Sequence, residues 1–360
     1  MKSLINGLMK HSASDLHIKV GRPPLFRING KLVAARVPPF SREKVNELIK
    51  SILPDGRWTE LTVKKQIDFS FEFLGIGRFR CNVFYQKGEL SAAIRVISKT
   101  VPSLDDLGVP KIVKELCQRP RGLVLITGAT GCGKSTTLTA MIQYLNEMYP
   151  IHILTLEDPI EFIYEDQKAC ITQREVGSDV ISMNDGLIAG LRQDPDVIML
   201  GELREVDTIQ AALTAAETGH LVLSTLHTTD AKNTIDRILD VFPPDAQNQI
   251  RTQLASTLLG VVCQHLVPRT DGNGQALVCE IMIKSPAIEG YIRKNELVRI
   301  SEAIETSNSY YQMQTLNQAL EKLVINRTIS LSEALKASNN PDDLKLKLSG
   351  VDREEGYRAS

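Results

Sequence analysis

The sequence predicts an α/β protein with two domains, a smaller α+β domain at the N-terminus and a larger α/β domain after it. Three observations support this prediction. The first hundred residues mix amphipathic helical segments with short alternating strands. Later in the chain, continuous apolar runs alternate with helical stretches, which is typical of strands buried on both faces of a parallel sheet. A glycine-rich loop directly follows the first of these apolar runs.

Composition narrows the class of protein. The chain has 360 residues, 42% hydrophobic and 24% charged, which suits two or three globular domains. The net charge of −1 argues against nucleic acid as the main partner. Six cysteines without a C-x-x-C pair predict reduced thiols and no structural zinc site. No apolar run reaches ~18 residues, so we expect no transmembrane segment and only peripheral contact with a membrane.

The N-terminal domain is predicted to span residues 1–97. It opens with a helix that carries its apolar residues on one face. An Asn29-Gly30 pair between alternating runs indicates a β-hairpin. The segment 41–53 is predicted to be a helix, and 67–97 a small antiparallel sheet with glycine-marked turns. Residues 98–121 are predicted to be a linker that leads into a short helix.

The second domain is predicted to span residues 122–350 as a doubly wound α/β fold with a helical C-terminal part after residue 283. Residues 351–360 are polar, and we expect a frayed tail there. The predicted buried strands are GLVLIT (122–127), IHILTLE (151–157), DVIMLGE (196–202), HLVLSTLH (220–227) and ALVCEIMI (276–283).

The strongest local signal is a phosphate-binding loop between a buried strand and a helix. It has the pattern G-x-x-x-x-G-K-[ST], in which glycines let backbone N–H groups surround phosphate oxygens at a helix N-terminus. Lys134 is expected to reach the β and γ phosphates of ATP, and Ser135 to bind Mg²⁺. The alternative is a glycine-rich turn without a ligand. The predicted nucleotide-binding residues here are Gly128, Ala129, Thr130, Gly131, Cys132, Gly133, Lys134, Ser135 and Thr136.

Acidic residues end two of the predicted strands. Glu202 ends DPDVIMLGE, which resembles a Walker B strand, and the carboxyl ends of parallel strands are where ligands bind. Nucleotide hydrolysis needs a carboxylate to organise Mg²⁺ and the attacking water. Glu157, Asp158 and Glu161 follow another strand, where they either hold water or Mg²⁺ or belong to a capped turn.

A histidine lies at each end of the predicted strand 220–227. Their spacing of seven residues places His220 and His227 ~23 Å apart and on opposite faces, so they cannot share one metal ion. His227 lies at the same sheet edge as Glu202, which favours a role in sensing phosphate or a neighbouring subunit. The alternative for each is a hydrogen-bonded structural histidine.

Together these motifs resemble the Walker A, Asp box, Walker B and His box of the secretion ATPase superfamily. They are ITGATGCGKSTT, LEDPIEF, LRQDPDVIMLGELRE and TGHLVLSTLHT, and they occur in this order. Further stretches, such as SASDLHI, GRFRCNVF and MQTLNQALEKLVINRTISLSEAL, resemble the type IV pilus retraction ATPases. The resemblance covers roughly residues 3–350. It implies a PAS-like N-terminal domain, a RecA-like motor domain and a homo-hexameric ring.

The resemblance also implies function. Such motors hydrolyse ATP with Mg²⁺ to remove pilin subunits, which retracts the pilus and produces twitching motility. It implies a cytoplasmic location at the inner membrane and a platform protein there as partner. The resemblance implies that Glu202 is the catalytic carboxylate. It also implies further site residues, namely Glu157, Asp158, Glu161, His220 and His227. First-domain arginines that reach phosphate charge are also implied, with solvated strand residues as the alternative: Arg78, Arg80 and Arg95.

Several functions stay open at this level. The missing tetracysteine zinc motif favours retraction over pilus assembly or type II secretion. The segment PAIEGYIRKNE has Glu289 where the retraction motif has arginine, which also allows an accessory retraction paralogue. A nucleic-acid translocase is opposed by the near-zero net charge. An adaptor that binds but barely hydrolyses ATP is opposed by Lys134, Ser135 and Glu202.

Overall fold

The computed structural model describes the whole chain apart from a few residues, and residues 350–358 by their backbone alone. The residues outside the description are Asn29, Leu74, Ser98, Lys99, Ala359 and Ser360. The described chain forms two compact units. Unit 1 comprises Met1–Thr100 with the segments Asp158–Ile163 and Glu175–Asp179, and unit 2 comprises the remaining described residues from Val101 onward.

The two short segments of unit 1 had been expected in the second domain. They pack with unit 1 because the Glu175 carboxylate, only 2% exposed, needs hydrogen-bond donors. Its Oε2 atom accepts from Ser70 Oγ at 3.0 Å, from Arg78 at 3.2 Å and from the Ile160 backbone N–H at 3.2 Å. The contacts with Ser70 and Arg78 join residues about a hundred positions apart, which sequence patterns do not show.

Unit 1 contains a six-stranded sheet in the order β3-β2-β1-β6-β5-β4, in which every described neighbouring pair is antiparallel. Its elements are α1 (Lys2–Lys10), β1 (Asp15–Lys19), β2 (Leu25–Ile28), β3 (Lys31–Ala34), α2 (Arg42–Lys50), α3 (Trp58–Lys64), β4 (Gln66–Phe73), β5 (Gly77–Gln86) and β6 (Glu89–Val96). The predicted N-terminal helix, hairpin, second helix and antiparallel sheet are confirmed. Ile28 lies opposite Lys31 in the hairpin, while Asn29 of the predicted turn lies outside the described residues.

The sheet of unit 1 buries one face. Phe79 and Cys81 of β5 and Ile94 of β6 are fully buried in its core, because alternate residues of a strand point to the same face. Arg78 and Arg80 therefore lie on the other face, with Arg80 directly opposite Arg95 of β6.

Unit 2 is the α/β part of the chain. Its elements are α4 (Ile112–Cys117), β7 (Gly122–Gly128), α5 (Lys134–Met148), β8 (His152–Glu157), β9 (Cys170–Glu175, with its last residue in unit 1), α6 (Met183–Gly190), β10 (Val197–Leu200), α7 (Val206–Glu217), β11 (Leu221–Leu226), α8 (Ala231–Asp240), α9 (Pro244–Thr257), β12 (Leu258–Pro268), β13 (Gln275–Ile283), α10 (Pro286–Lys294), α11 (Val298–Thr306), α12 (Asn308–Tyr311), α13 (Leu316–Ile325), α14 (Leu331–Ala337) and α15 (Pro341–Arg358). The short helix predicted at the end of the linker is α4.

The sheet of unit 2 has the order β13-β12-β7-β11-β10-β8-β9. β12, β7, β11, β10 and β8 are parallel, which confirms four of the five predicted runs as strands of a parallel sheet. The fifth run, β13, is antiparallel to β12, so its predicted parallel placement is wrong. The reason is a short connection through Asp271-Gly272-Asn273-Gly274, because so few residues allow only a hairpin.

Four further segments differ from the sequence analysis, which predicted neither α3 nor β9. β12 was not predicted, because it follows α9 directly and no turn residue marks the change from helix to strand. The expected frayed tail after residue 350 is helical up to Arg358, since these residues continue α15, which begins upstream at Pro341. The predicted helical character of 284–349 is confirmed.

None of the helices in the described chain is long and apolar enough to cross a membrane. All six cysteines are free, as predicted.

Candidate active site

The predicted phosphate loop connects the buried strand β7 to the fifteen-residue helix α5. Gly131 and Gly133 have φ values of 82° and 91°, in the left-handed region that favours glycine. At Gly128, an added Cβ would lie 2.5 Å from both Cys132 Sγ and the Gln264 carbonyl oxygen. The loop therefore depends on its glycines for its shape, and it ends at a helix N-terminus, which attracts anions.

Lys134 lies under this loop, with 8% of its surface exposed. Its Nζ atom donates to the carbonyl oxygens of Gly128 at 2.9 Å and Ala129 at 3.0 Å, and lies 3.4 Å from His227 Nδ1. A phosphate oxygen carries full negative charge and is a stronger acceptor for an ammonium group than a carbonyl oxygen. The contacts of Lys134 are thus of a kind that phosphate can replace.

The remaining loop residues present an open outer surface. Ala129, Thr130 and Gly131 are exposed, and so is Ser135 at the start of α5, whereas Thr136 is half-buried. Cys132 is buried beneath the loop, and burial raises the pKa of its thiol although Lys134 opposes this. Cys132 therefore serves as a packing residue that is neutral near pH 7.

Glu202 follows β10 at the same sheet edge as the phosphate loop, as predicted. The backbone around it is fixed from two sides, because Gly201 N donates to Leu156 O and Leu203 N donates to Thr225 O. The Glu202 carboxylate contacts His227 Nε2 through Oε1 at 3.1 Å and Arg204 through Oε2 at 2.6 Å. Both carboxylate oxygens therefore have donors.

His227 connects the lysine of the loop to this carboxylate. An ammonium group only donates hydrogen bonds, so His227 Nδ1 must be the acceptor beside Lys134. Nε2 then carries the proton and donates to Glu202. The geometry suits the Nε2–H tautomer of His227, in which one imidazole ring links Lys134 to Glu202.

The acids at and after the end of β8 differ in burial and belong to different units. Glu157 is 7% exposed, and its Oε1 atom accepts from Thr155 Oγ1 at 2.7 Å and Gln173 Nε2 at 3.1 Å. Asp158 and Glu161 are exposed and belong to unit 1. The chain leaves β8 after Glu157 and enters the segment 158–163 of unit 1.

The three first-domain arginines lie on the polar face of the unit 1 sheet and differ in their partners. Arg95 donates to the buried Asp15 at 2.8 Å, and Arg78 pairs with Glu175 at 3.2 Å. Arg80 is half-buried and has no acidic partner among the described residues of the chain. Arg80 is therefore the one of the three whose charge is not already balanced by a carboxylate.

His220 lies at the opposite end of β11 from His227. Its Nδ1 atom donates to the Ala215 carbonyl oxygen at 3.0 Å, near the end of α7. The structure therefore does not bring His220 to the phosphate loop. Within the described residues, no group of three or more His, Cys, Asp or Glu side chains is placed to hold a metal ion.

Two residues that contact the site were not predicted. Arg204 pairs with Glu202, and the available signals were its position two residues after that acid and inside the motif LRQDPDVIMLGELRE. Gln264 of β12 is fully buried and its Nε2 atom donates to Thr137 Oγ1 in the first turn of α5 at 2.8 Å. A buried amide in an apolar run was the signal that could have identified it.

Comparison with known proteins places these features in context. The family model of type II/IV secretion system proteins matches residues 1–336. The chain is 43% identical over 334 residues to the type IV pilus retraction ATPase PilT of Pseudomonas aeruginosa, covering 93% of this chain and 96% of that protein. It is 38% identical over 347 residues to the type IV pilus ATPase PilU of the same organism, covering 96% and 91%. A crystal structure of the pilus retraction motor PilT with bound ADP matches with a TM-score of 0.89 at 43% identity, covering 95% of this chain and 98% of that one.

Proposed function

This chain belongs to the type II/IV secretion system protein family, and we propose that it is a hexameric ATPase motor that drives retraction of a type IV pilus. The observation that carries this proposal is similarity to a retraction ATPase over nearly the full length of both chains. The phosphate loop, His227 and Glu202 supply the corresponding chemistry. We assign unit 1 to the PAS-like domain and unit 2 to the RecA-like motor domain of such proteins.

The residues at the loop fit ATP with Mg²⁺. Three left-handed or extended glycines shape the backbone for phosphate, Lys134 can exchange carbonyl oxygens for phosphate oxygens, and the Ser135 hydroxyl is exposed where a metal ligand is needed. Mg²⁺, when bound, would neutralise charge on the phosphates during transfer. Ser135 would hold it from the protein side.

The mechanism follows from the contacts of Lys134 and Glu202. When Lys134 turns to the phosphates, it leaves the loop carbonyls and His227 Nδ1, so the hydrogen bonding of His227 changes with nucleotide state. Glu202 accepts a hydrogen bond from a water molecule and orients it in line with the γ phosphorus. The water oxygen bonds to the γ phosphorus and its proton passes to Glu202, while the bond from the γ phosphorus to the oxygen of the β phosphate breaks, so that ADP and inorganic phosphate result.

Arg80 is our candidate for the arginine that stabilises the charge of the transferred phosphoryl group, because its charge is not balanced by an acid among the described residues. Arg78 and Arg95 are less suited, since each would have to leave a carboxylate that is largely buried. The proposed roles of Asp158, Glu161 and His220 rest on the family resemblance alone.

The cellular setting is part of the proposal. We propose a homo-hexamer at the cytoplasmic face of the inner membrane that acts on a pilus platform protein. A second candidate is an accessory retraction ATPase that works with a paralogue, since the chain is also similar to a second type IV pilus ATPase, PilU. Glu289 in α10 supports this alternative, because it pairs with Arg293 of the same helix at 2.7 Å and so offsets a cation of the retraction motif.

The direct biochemical test is ATP hydrolysis by the purified full chain. We expect Glu202→Gln to bind ATP but to lose at least about a hundredfold in kcat. Glu302→Gln is the matched control, because Glu302 is an exposed glutamate of α11 without an ion-pair partner among the described residues. Full turnover by Glu202→Gln would remove Glu202 from the mechanism, and a wild-type protein without ATPase activity would contradict the proposed function.

A further inference from the structure

We propose that Arg204 is a positioning residue of the hydrolysis reaction, which holds the Glu202 carboxylate in the orientation that water activation requires. This inference rests on the proposed ATPase function and gives a role to a residue of the motif LRQDPDVIMLGELRE to which the sequence analysis assigns none. The proposal rests on the distance of 2.6 Å between an Arg204 guanidinium nitrogen and Glu202 Oε2.

The backbone that carries both residues is held in place. Ser224 Oγ donates to Leu200 O at 2.8 Å, and Thr225 Oγ1 donates to Gly201 O at 2.7 Å. Between Glu202 and Arg204, Leu203 is 2% exposed and donates its N–H to Thr225 O at 3.1 Å. A buried residue thus anchors the segment to β11, and the two charged side chains on either side of it meet.

Each oxygen of the Glu202 carboxylate has one donor, and the carboxylate can still accept further hydrogen bonds. His227 Nε2 contacts Oε1 at 3.1 Å while Arg204 contacts Oε2. An ionised carboxylate offers about four lone-pair positions, so two donors leave acceptor sites for water. Two donors on different oxygens fix the plane of the carboxylate, which a single donor does not do.

A purely structural role explains Arg204 poorly. Its side chain is 73% exposed, whereas that of Glu202 is 21% exposed. Exposed ion pairs add little to stability because water screens the charges and the long side chains lose freedom. The contact instead restricts the rotation of Glu202, and that restriction acts on the reaction step rather than on folding.

The two donors also differ in how they respond to nucleotide. His227 is linked to Lys134, whose contacts change when the lysine turns to phosphate. Arg204 contacts the other oxygen, so it can keep Glu202 oriented while the His227 side rearranges. This division gives Arg204 a role that His227 cannot replace.

The test compares Arg204→Gln and Arg204→Lys with Arg237→Gln, which removes an exposed arginine of α8 that has no acidic partner among the described residues. For each full-length variant, kcat and KM for ATP are measured, together with the Kd of a non-hydrolysable ATP analogue. We expect Arg204→Gln to lower kcat about tenfold or more while KM and Kd change less than about twofold. Arg204→Lys should recover part of the loss, since it keeps a positive charge without the planar guanidinium group. Arg237→Gln should match wild type.

An unchanged kcat in Arg204→Gln overturns the proposal. A Kd that weakens in step with kcat also overturns it, because Arg204 would then bind the nucleotide directly. If Arg204→Gln does not fold, Arg204→Lys decides instead. A kcat below that of wild type at an unchanged Kd supports the proposal, and a wild-type kcat overturns it. These outcomes differ from a failure of the proposed function, in which the wild-type chain itself hydrolyses no ATP.

Discussion

Replacing Gly128 with alanine tests whether close packing shapes the phosphate loop. The new methyl carbon would lie 2.5 Å from Cys132 Sγ and 2.5 Å from the Gln264 carbonyl oxygen. The sulfur can rotate away, but the carbonyl oxygen belongs to β12, which pairs with β7 on one side and β13 on the other. Either β7, which carries Gly128, or β12, which carries Gln264, therefore has to move.

The magnitude follows from two effects. Overpacking a rigid site costs about 1–3 kcal/mol, and a φ of 143° is strained for alanine by about 1–3 kcal/mol more. We therefore expect Gly128→Ala to lower the free energy of unfolding of unit 2 by about 2–6 kcal/mol. Gly131→Ala is the matched control, because its φ of 82° is strained but no atom lies within 4 Å of the added carbon. Its expected cost is about 1–2 kcal/mol.

The assay is urea unfolding followed by two signals. The single tryptophan, Trp58, belongs to unit 1, so its fluorescence reports that unit, whereas far-ultraviolet circular dichroism includes the many helices of unit 2. We expect Gly128→Ala to shift the circular dichroism transition much more than Gly131→Ala does. Wild-type stability in Gly128→Ala, or an equal loss in both variants, would refute the packing argument.

Three further predictions concern single side chains. Lys134→Ala should lose at least about a hundredfold in kcat/KM for ATP, because the ammonium group is the main charge at the loop, and a normal value in steady-state kinetics would contradict its role. Burial, helped by the negative charge of Asp230, raises the pKa of Glu280 to about 7, so the native state binds this proton more tightly than the unfolded chain. Stability from Glu280 is therefore lost as pH rises from about 4.5 through 7, and relative to Glu280→Gln the wild type should lose up to about 3 kcal/mol between pH 5 and pH 8 in urea unfolding; parallel pH dependence of the two proteins would disprove this. Asn146 is fully buried, donates to Glu165 O at 2.9 Å and accepts from Gln167 N at 3.0 Å. Asn146→Ala should lower the free energy of unfolding by about 2–4 kcal/mol because both backbone groups lose a partner, and a loss below about 1 kcal/mol would show that water replaces the amide.

Most of the fold could be predicted because local patterns specify it. Apolar runs bounded by helices gave β7, β8, β10 and β11 and their parallel arrangement. β12 was missed because a strand that continues directly from a helix carries no turn residue. The direction of β13 was wrong because burial on both faces makes a strand apolar whether its neighbour is parallel or antiparallel.

Local sequence patterns likewise predicted only part of the candidate site. Lys134, Glu202 and His227 were predicted together, because loops and strand ends at one edge of a parallel sheet follow from topology. Arg204 and Gln264 were not, since their contacts depend on rotamers and on strand β12. Asp158 and Glu161 belong to unit 1 rather than to the unit of Glu157, because the buried Glu175 accepts a hydrogen bond from Ile160 N in the segment 158–163.

The most direct test of the central claim is pilus retraction in a strain that lacks this protein. Wild-type protein and Glu202→Gln are each expressed in that strain, and surface pili and retraction events are measured. The account predicts surplus pili and no retraction in the deletion strain, with recovery by wild type and none by Glu202→Gln. Loss of surface pili altogether, or unchanged retraction in the deletion strain, would contradict a retraction motor.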